Sequence, residues 1–240
     1  MSADAGDPWA DVSAVILAGG LGTRLRSAVA DRPKGLAVVA GRPFLSYVLD
    51  QLADAGAHEV VLCIGHLADQ IEAAFRRQYR GMEVRYSREH SPLGTGGALR
   101  LALPRATGRT LLVMNGDSLC RADLGAFLTA YRQCRNEPTL MLVEVADARR
   151  FGRVVCDDAG RVLRFAEKGE ESGGGWVNAG IYLLEKSMAE AIPSGQPVSL
   201  EREVFPAWIG QGLRGHRTES PFLDIGTPES YAAAEAFFAR

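Results

Sequence analysis

From residue 13 onward, short apolar runs alternate with stretches whose apolar residues recur every three to four positions. Residues 14–17 (AVIL) form a continuous apolar run stopped by Gly19 and Gly20, the pattern of a strand buried on both faces. Phe44, Tyr47, Val48, Leu49 and Leu52 then recur at helical spacing, and Gly56 ends them. The pattern goes on to predict a second strand at 59–64, a second helix at 67–79 and a third strand at 82–86. Residues 98–103 read as helix, and 110–114 as a fourth strand ending at Asn115-Gly116-Asp117. Strand and helix in this rhythm predict a parallel sheet with right-handed crossovers.

After Pro138 the rhythm changes. Residues 139–145, 153–156, 162–165 and 177–184 read as strands with few helices between them, punctuated by Gly152, Gly160 and the Gly173-Gly174-Gly175 run. The expected fold class is α/β: a Rossmann-like, mostly parallel sheet with helices on both faces, followed by a mixed β half. No proline-rich or serine-rich linker separates the halves. The expected organisation is a flexible leader at 1–12 and a single domain at 13–240, with one half at about 13–137 and the other at about 138–240.

Composition narrows the partners. The chain has 240 residues, 47% of them hydrophobic and 23% charged, which excludes disorder as the main state. With 27 basic and 29 acidic side chains the net charge is −2, so no basic field exists to hold a nucleic-acid backbone. No run of about 18 apolar residues is present to span a membrane, and the leader lacks the features of a signal peptide. Cys63, Cys120, Cys134 and Cys156 show neither metal-ligand spacing nor a disulfide framework and read as buried thiols. A reduced, soluble, cytoplasmic protein is expected, and a homo-oligomer is compatible with the sequence.

The sharpest chemical feature is Leu17-Ala18-Gly19-Gly20-Leu21-Gly22-Thr23-Arg24-Leu25, directly after the first strand. Three glycines in four positions let the backbone approach a ligand and turn its amides toward anionic oxygens. Arg24 adds a permanently charged fork suited to phosphate. The bland alternative is a tight turn with an unrelated surface arginine. The loop is not a P-loop, since no G-x-x-x-x-G-K-[ST] occurs, and the third glycine of a dinucleotide fingerprint is missing. Lys34, in Arg32-Pro33-Lys34-Gly35, supplies a second cation from a turn stiffened by Pro33.

Two carboxylates complete the constellation. Asp117 follows an apolar strand at the carboxyl edge of the expected sheet, where α/β proteins bind ligands. Asp224 precedes a helix-start signal, Gly226-Thr227-Pro228. Taken singly, either reads equally well as an N-cap or turn residue. As a pair they suit one Mg²⁺, a hard cation that shares its shell with substrate phosphates and water.

In order along nearly the whole chain, these motifs resemble those of the sugar-1-phosphate nucleotidyltransferase family. The match runs through Gly19-Gly20-x-Gly22-Thr23-Arg24-Leu25, Pro33-Lys34, Gly41-Arg42-Pro43 and Leu93-Gly94-Thr95-Gly96-Gly97-Ala98. It continues through Asn115-Gly116-Asp117, Glu167-Lys168, Asn178-Ala179-Gly180-Ile181-Tyr182 and Asp224-Ile225-Gly226-Thr227-Pro228. Residues 147–154, 178–184 and Ser199-Leu200-Glu201 before Phe205-Pro206 resemble the D-glycero-D-manno-heptose 1-phosphate guanylyltransferases most. One departure is Gly35, where many members carry proline or alanine.

The resemblance implies a GT-A-like nucleotidyltransferase fold and a role for each matching position. Arg24 and Lys34 would be catalytic. Leu17, Ala18, Gly19, Gly20, Gly22, Thr23, Gly94, Gly96, Gly97 and Asp117 would bind the nucleotide. Asn115, Glu167, Lys168, Asn178 and Gly180 would bind the sugar phosphate, and Asp117 and Asp224 would hold Mg²⁺. The implied partners are an NTP, GTP by subfamily likeness, and a sugar 1-phosphate, with the heptose ahead of mannose or another hexose. A non-catalytic regulatory relative is the contrasting reading; it predicts loss of Arg24, Lys34, Asp117 or Asp224, and all four are present. The chemistry needs no general base, because a sugar 1-phosphate is already an anionic nucleophile. Cations must cancel the repulsion between two polyanions and align them. His58, His66, His90 and His216 read as structural or surface residues.

Overall fold

The computed structural model describes residues 6–20, 25, 31–166 and 173–239. Its main sheet contains β1 (Val12–Leu17), β2 (Glu59–Ile64), β3 (Gln78–Tyr79), β4 (Met82–Arg88), β5 (Thr110–Asn115), β6 (Thr139–Val145), β7 (Gly175–Glu185) and β8 (Arg214–Thr218). Among the described residues these eight strands lie in the order β8-β6-β7-β5-β1-β2-β4-β3. β1 pairs in parallel with both β2 and β5, and β2 in parallel with β4. β7 runs antiparallel to β5 and β6, while β8 is parallel to β6. The parallel-then-mixed character expected from the sequence is present. Its two parts share one sheet, since Ile181–Glu185 of β7 pair residue by residue with Met114–Thr110 of β5.

The alternation along each strand explains why both faces are covered. Ala14 and Ile16 of β1, Leu112 and Met114 of β5, and Ile181 and Leu183 of β7 join one core with α1 (Phe44–Asp54), α2 (Ala68–Phe75) and α4 (Leu124–Gln133). Val15, Val113, Tyr182 and Leu184 face the other way, against α3 (Gly94–Ala102) and Phe205. Each of the larger aliphatic side chains among them contributes about 1.5–3 kcal/mol when removed from water. A strand buried on both faces therefore reads as the continuous apolar run seen at 14–17.

Four differences from the sequence pattern have local causes. The second helix stops at Phe75, because the chain reverses at Arg80–Gly81 and Gln78–Tyr79 pair with Met82–Glu83 as a hairpin. α4, capped by Asp123 accepting from the Ala126 amide at 2.9 Å, is an unexpected helix, and β8 an unexpected strand. β8 reads RGHRT and lies at the sheet edge, where polar residues replace an apolar run. The leader needs correction: Trp9 is 3% exposed and belongs to the core with Val12, so the chain is anchored before residue 13.

All four cysteines are free; Cys63 and Cys120 are buried, whereas Cys134 and Cys156 are only half-buried. Among the described residues, no helix is long and apolar enough to cross a membrane.

Candidate active site

The four parallel strands β1, β2, β4 and β5 end on one edge of the sheet. The chain leaves β1 toward β2 and β4 on one side and returns to β5 on the other, so a crevice opens above β1 where the strand order reverses. A cavity of about 430 Å³ lies there. Its floor is Leu17, Ala18, Gly19 and Gly20 after β1, and its walls include Lys34, Glu89, Gly94, Thr95, Asn115 and Asp117. The floor is tied to its neighbours by Ala18 donating to the Cys63 carbonyl at 2.9 Å and Gly116 to the Leu17 carbonyl at 3.0 Å.

Lys34 opens a short 3₁₀ turn, Lys34–Leu36, preceded by Pro33. The Leu36 amide donates to the Pro33 carbonyl at 2.8 Å and the Ala37 amide to the Lys34 carbonyl at 3.0 Å. These bonds stiffen the turn whatever residue stands at 35, and a Cβ at Gly35 would make only an ordinary 3.4 Å contact with Leu45. Lys34 Nζ lies 2.5 Å from Asp117 Oδ2, and its side chain is only 13% exposed.

Asp117 and Asp224 are brought together by a second, two-stranded sheet. Residues Phe222–Asp224 pair antiparallel with Ser118–Cys120, Asp224 opposite Ser118, and the Ile225 amide donates to the Asp117 carbonyl at 3.0 Å. Burial, and then the Asp117 carboxylate, push the Asp224 carboxyl above its usual range. The Gly226 amide, Lys34 and Arg150 oppose that shift. Arg150 Nη2 stands 3.4 Å from Asp224 Oδ1. The helix-start signal is genuine: Thr227 and Ser230 form a reciprocal capping box ahead of Pro228–Ala232.

Of the sugar-side residues that are described, Asn115 lines the cavity and Asn178 and Gly180 do not. Asn178 Nδ2 donates to the Tyr182 hydroxyl at 2.9 Å and its Oδ1 accepts from the Gly180 amide at 2.8 Å. These bonds hold a bulge in β7 between Asn178 and Tyr182. Gly180 sits in that bulge at φ 75°, and a Cβ there would fall 2.7 Å from Asn115 Nδ2 and 2.8 Å from Ser118 Oγ. Gly180 thus sets the position of Asn115, whose Oδ1 is buried without a hydrogen-bond partner beside the cavity. Gly180→Ala combines left-handed strain of about 1–2 kcal/mol with a shove on Asn115. A melting-temperature loss of about 2–8 °C together with reduced turnover is expected; a variant with unchanged melting and kcat would remove this role.

Gly94, Gly96 and Gly97 divide between the cavity and the protein's own packing. They form the first turn of α3 rather than a free loop. The amides of Gly96 and Gly97 both donate to the Val198 carbonyl, at 2.8 and 3.3 Å, and so are spent on protein rather than on a nucleotide. Their small size lets the 196–198 backbone approach: a Cβ on Gly97 would lie 2.7 Å from the Gln196 carbonyl oxygen. Gly94 and Thr95 do face the cavity. Gly22, Thr23, Arg24, Glu167 and Lys168 lie outside the described residues.

The sequence reading missed Glu89. It follows β4 at the same carboxyl edge that made Asp117 conspicuous, and the same reasoning applied to β4 would have found it. Its Oε2 accepts from the Leu93 amide at 3.0 Å, and burial raises its carboxyl above the usual range. None of the four histidines lines the cavity. His58 pairs with Asp7, and His216 lies 5.1 Å from the Phe127 ring, its pKa lowered by burial.

The chain belongs to the nucleotidyl transferase family, whose model matches residues 13–240. Among individual relatives, mannose-1-phosphate guanylyltransferase of Mycobacterium tuberculosis is 40% identical over 233 residues, and the chain spans 65% of that protein's length. D-glycero-α-D-manno-heptose 1-phosphate guanylyltransferase of Aneurinibacillus thermoaerophilus is 34% identical over 225 residues, covering 93% of this chain and 97% of that one. HddC from Yersinia pseudotuberculosis, solved complexed with GMP-PN, superposes with a TM-score of 0.82 at 33% identity, over 94% of this chain and 99% of that one.

Proposed function

We propose that this protein transfers a guanylyl group from GTP to the phosphate of a manno-configured sugar 1-phosphate, the D-glycero-D-manno-heptose ester, releasing pyrophosphate. The observation that carries this reading is the cavity at the strand-order reversal, where Lys34 and Asp117 pair beside the glycine floor and Asp224 lies near enough to feel both charges. The sugar phosphate oxygen attacks the α-phosphorus; a new P–O bond forms as the bond to pyrophosphate breaks. Lys34 offsets the charge on the reacting phosphates, and the floor amides hold the nucleotide in line. Arg24 serves the departing phosphates, and Glu167 and Lys168 the sugar ester, in roles that rest on the family resemblance.

The donor set suits Mg²⁺. Asp117 and Asp224 are two hard oxygen donors near enough for the Asp117 carboxylate to raise the Asp224 carboxyl. Mg²⁺ takes one or two carboxylates and fills its shell with phosphate oxygens and water. Asp117 and Asp224 would hold it, and when bound it supplies a Lewis acid that polarises the phosphoryl oxygens. Both substrates are small soluble anions, which suits the cytoplasm.

Glu89 supports guanine as the base. Guanine presents two adjacent donors, N1–H and N2–H₂, and a carboxylate is an acceptor-only group that matches both. Uracil and thymine offer a single N–H between two carbonyls, and adenine an amino group beside an acceptor. Hydrogen bonds to a charged partner contribute about 1.5–3 kcal/mol each. Glu89→Gln is therefore expected to cut kcat/KM for GTP about ten- to a hundredfold and to narrow its lead over ATP, UTP and dTTP. The check is a panel of NTPs against heptose and mannose 1-phosphates, read by pyrophosphate release. A wild-type protein that prefers another NTP overturns the guanine assignment. Unchanged selectivity in the variant removes Glu89 from base reading.

Mannose 1-phosphate is the second reading for the acceptor, favoured by the 40% identity to the Mycobacterium tuberculosis enzyme. The same panel separates the two sugars.

A further inference from the structure

Behind the cavity wall lies a polar network that the proposed reaction does not use. Its centre is Glu201, in a five-residue π-helix, Leu200–Val204, a conformation that recurs at functional sites. Glu201 Oε2 accepts from the Thr95 hydroxyl at 2.8 Å and from the Ser199 hydroxyl at 3.1 Å. Its Oε1 accepts from the Tyr182 hydroxyl at 3.3 Å. Tyr182 is fully buried among apolar side chains, and its oxygen in turn accepts from Asn178.

The direction of every bond follows from chemistry. The Leu200 amide donates to Thr95 Oγ1 at 2.8 Å and Asn178 Nδ2 donates to Tyr182, so both hydroxyls must pass their own protons onward. Glu201, which only accepts, receives them all. A glutamine there would turn its amide nitrogen toward Tyr182, whose proton would lose its acceptor, or toward Thr95 and Ser199, whose two protons would lose theirs.

Stability alone does not call for this arrangement. A phenylalanine at 182 would fill the same volume, and burying a hydroxyl and a carboxylate is costly unless each is satisfied. The network's ends supply the missing reason. Thr95 lines the cavity on the α3 wall. At the other end, Asn178 fixes the bulge whose Gly180 abuts Asn115 on the opposite wall. The α3 turn and the 198–201 segment are also clamped to each other, with Val198 donating to the Leu93 carbonyl at 2.8 Å.

We propose that Glu201 is a positioning residue that couples the two substrate sites, holding the Thr95 wall and the Asn178 bulge in one arrangement so that filling either site favours filling the other. This rests on the proposed function and on the roles that the family resemblance implies, in which Gly94 on the α3 wall meets the nucleotide and Asn115, against the β7 bulge, meets the sugar phosphate. The coupling is reciprocal, and a factor of about ten in affinity is of the ordinary size for linked sites.

The test uses the full-length protein with Mg²⁺ and two probes. The first is guanosine 5′-(α,β-methylene)triphosphate, whose bridging carbon blocks transfer; the second is the heptose or mannose 1-phosphate. Calorimetric affinity for the nucleotide probe is measured with and without saturating sugar phosphate. Wild type is expected to bind it about tenfold tighter when the sugar phosphate is present. Glu201→Gln and Tyr182→Phe are each expected to bring that factor below about two, while affinity for the nucleotide probe alone changes less than about threefold. Tyr182→Phe removes a single oxygen and serves where Glu201→Gln folds poorly. A wild-type protein that binds both probes but shows the wild-type factor in both variants, or no factor at all, overturns the coupling. A wild-type protein that binds neither probe overturns the proposed function and the coupling with it.

Discussion

Asp117→Asn lowers kcat by roughly a thousandfold at limiting Mg²⁺, the loss of several kcal/mol of charge stabilisation at a phosphoryl centre. The substitution keeps the shape of the side chain and the Ile225-to-Asp117 backbone bond, so the fold should survive. What it removes is the negative charge that faces Lys34 and, on the proposed reading, the metal. Asp224→Asn is expected to act in the same direction, with a second signature. Asp224 and Asp117 repel each other across the small sheet that joins them, and this repulsion contributes to the raised Asp224 carboxyl. Removing one charge relieves it, so the metal-free variant should melt no lower than wild type and bind Mg²⁺ more weakly. Pyrophosphate release across a Mg²⁺ titration, paired with thermal melts in EDTA, checks both. A variant that keeps near-wild-type activity at limiting Mg²⁺ takes its residue out of the metal site.

Lys34→Ala is the second large effect, a fall in kcat of roughly 10²–10³, the scale of losing one preorganised electrostatic contact to developing charge. Lys34 is mostly buried on a hydrogen-bonded 3₁₀ turn, so its ammonium is held in place rather than tethered loosely. A group placed that firmly acts on the transition state more than on the resting complex. Steady-state kinetics separate the cases: a variant with unchanged kcat and a raised KM would show that Lys34 binds substrate uniformly.

Much of the site was legible because chemistry-bearing residues directly follow continuous apolar runs. Leu17 to Gly20 after β1 and Asn115 to Asp117 after β5 could be placed at the carboxyl edge from pattern alone, and Lys34 from its proline turn. Asp224 could be paired with Asp117 only as a suitable donor, because the strand pairing of Ser118–Cys120 with Phe222–Asp224 that joins them links short segments far apart in sequence. The contacts of Gly96 and Gly97 were hidden for a related reason. A glycine-rich stretch permits close backbone approach without saying what approaches, and here it is the protein's own Val198 carbonyl. The part Asn178 plays in holding a bulge was likewise hidden, since a register shift leaves no mark on apolar periodicity. The edge strand β8 and the helix α4 were missed where polar residues interrupt the pattern.

The seam between β5 and β7 has a consequence for engineering. Chimaeras that graft the second half of one relative onto the first half of another would ask a foreign β7 to pair with Thr110–Met114 across that seam, and a mismatched pair leaves strand edges exposed. Exposed strand edges of that apolar character invite aggregation. Acceptor preference in this scaffold is therefore a property to be changed through the segments that rim the carboxyl edge, one at a time, and recombination breakpoints belong outside the strands.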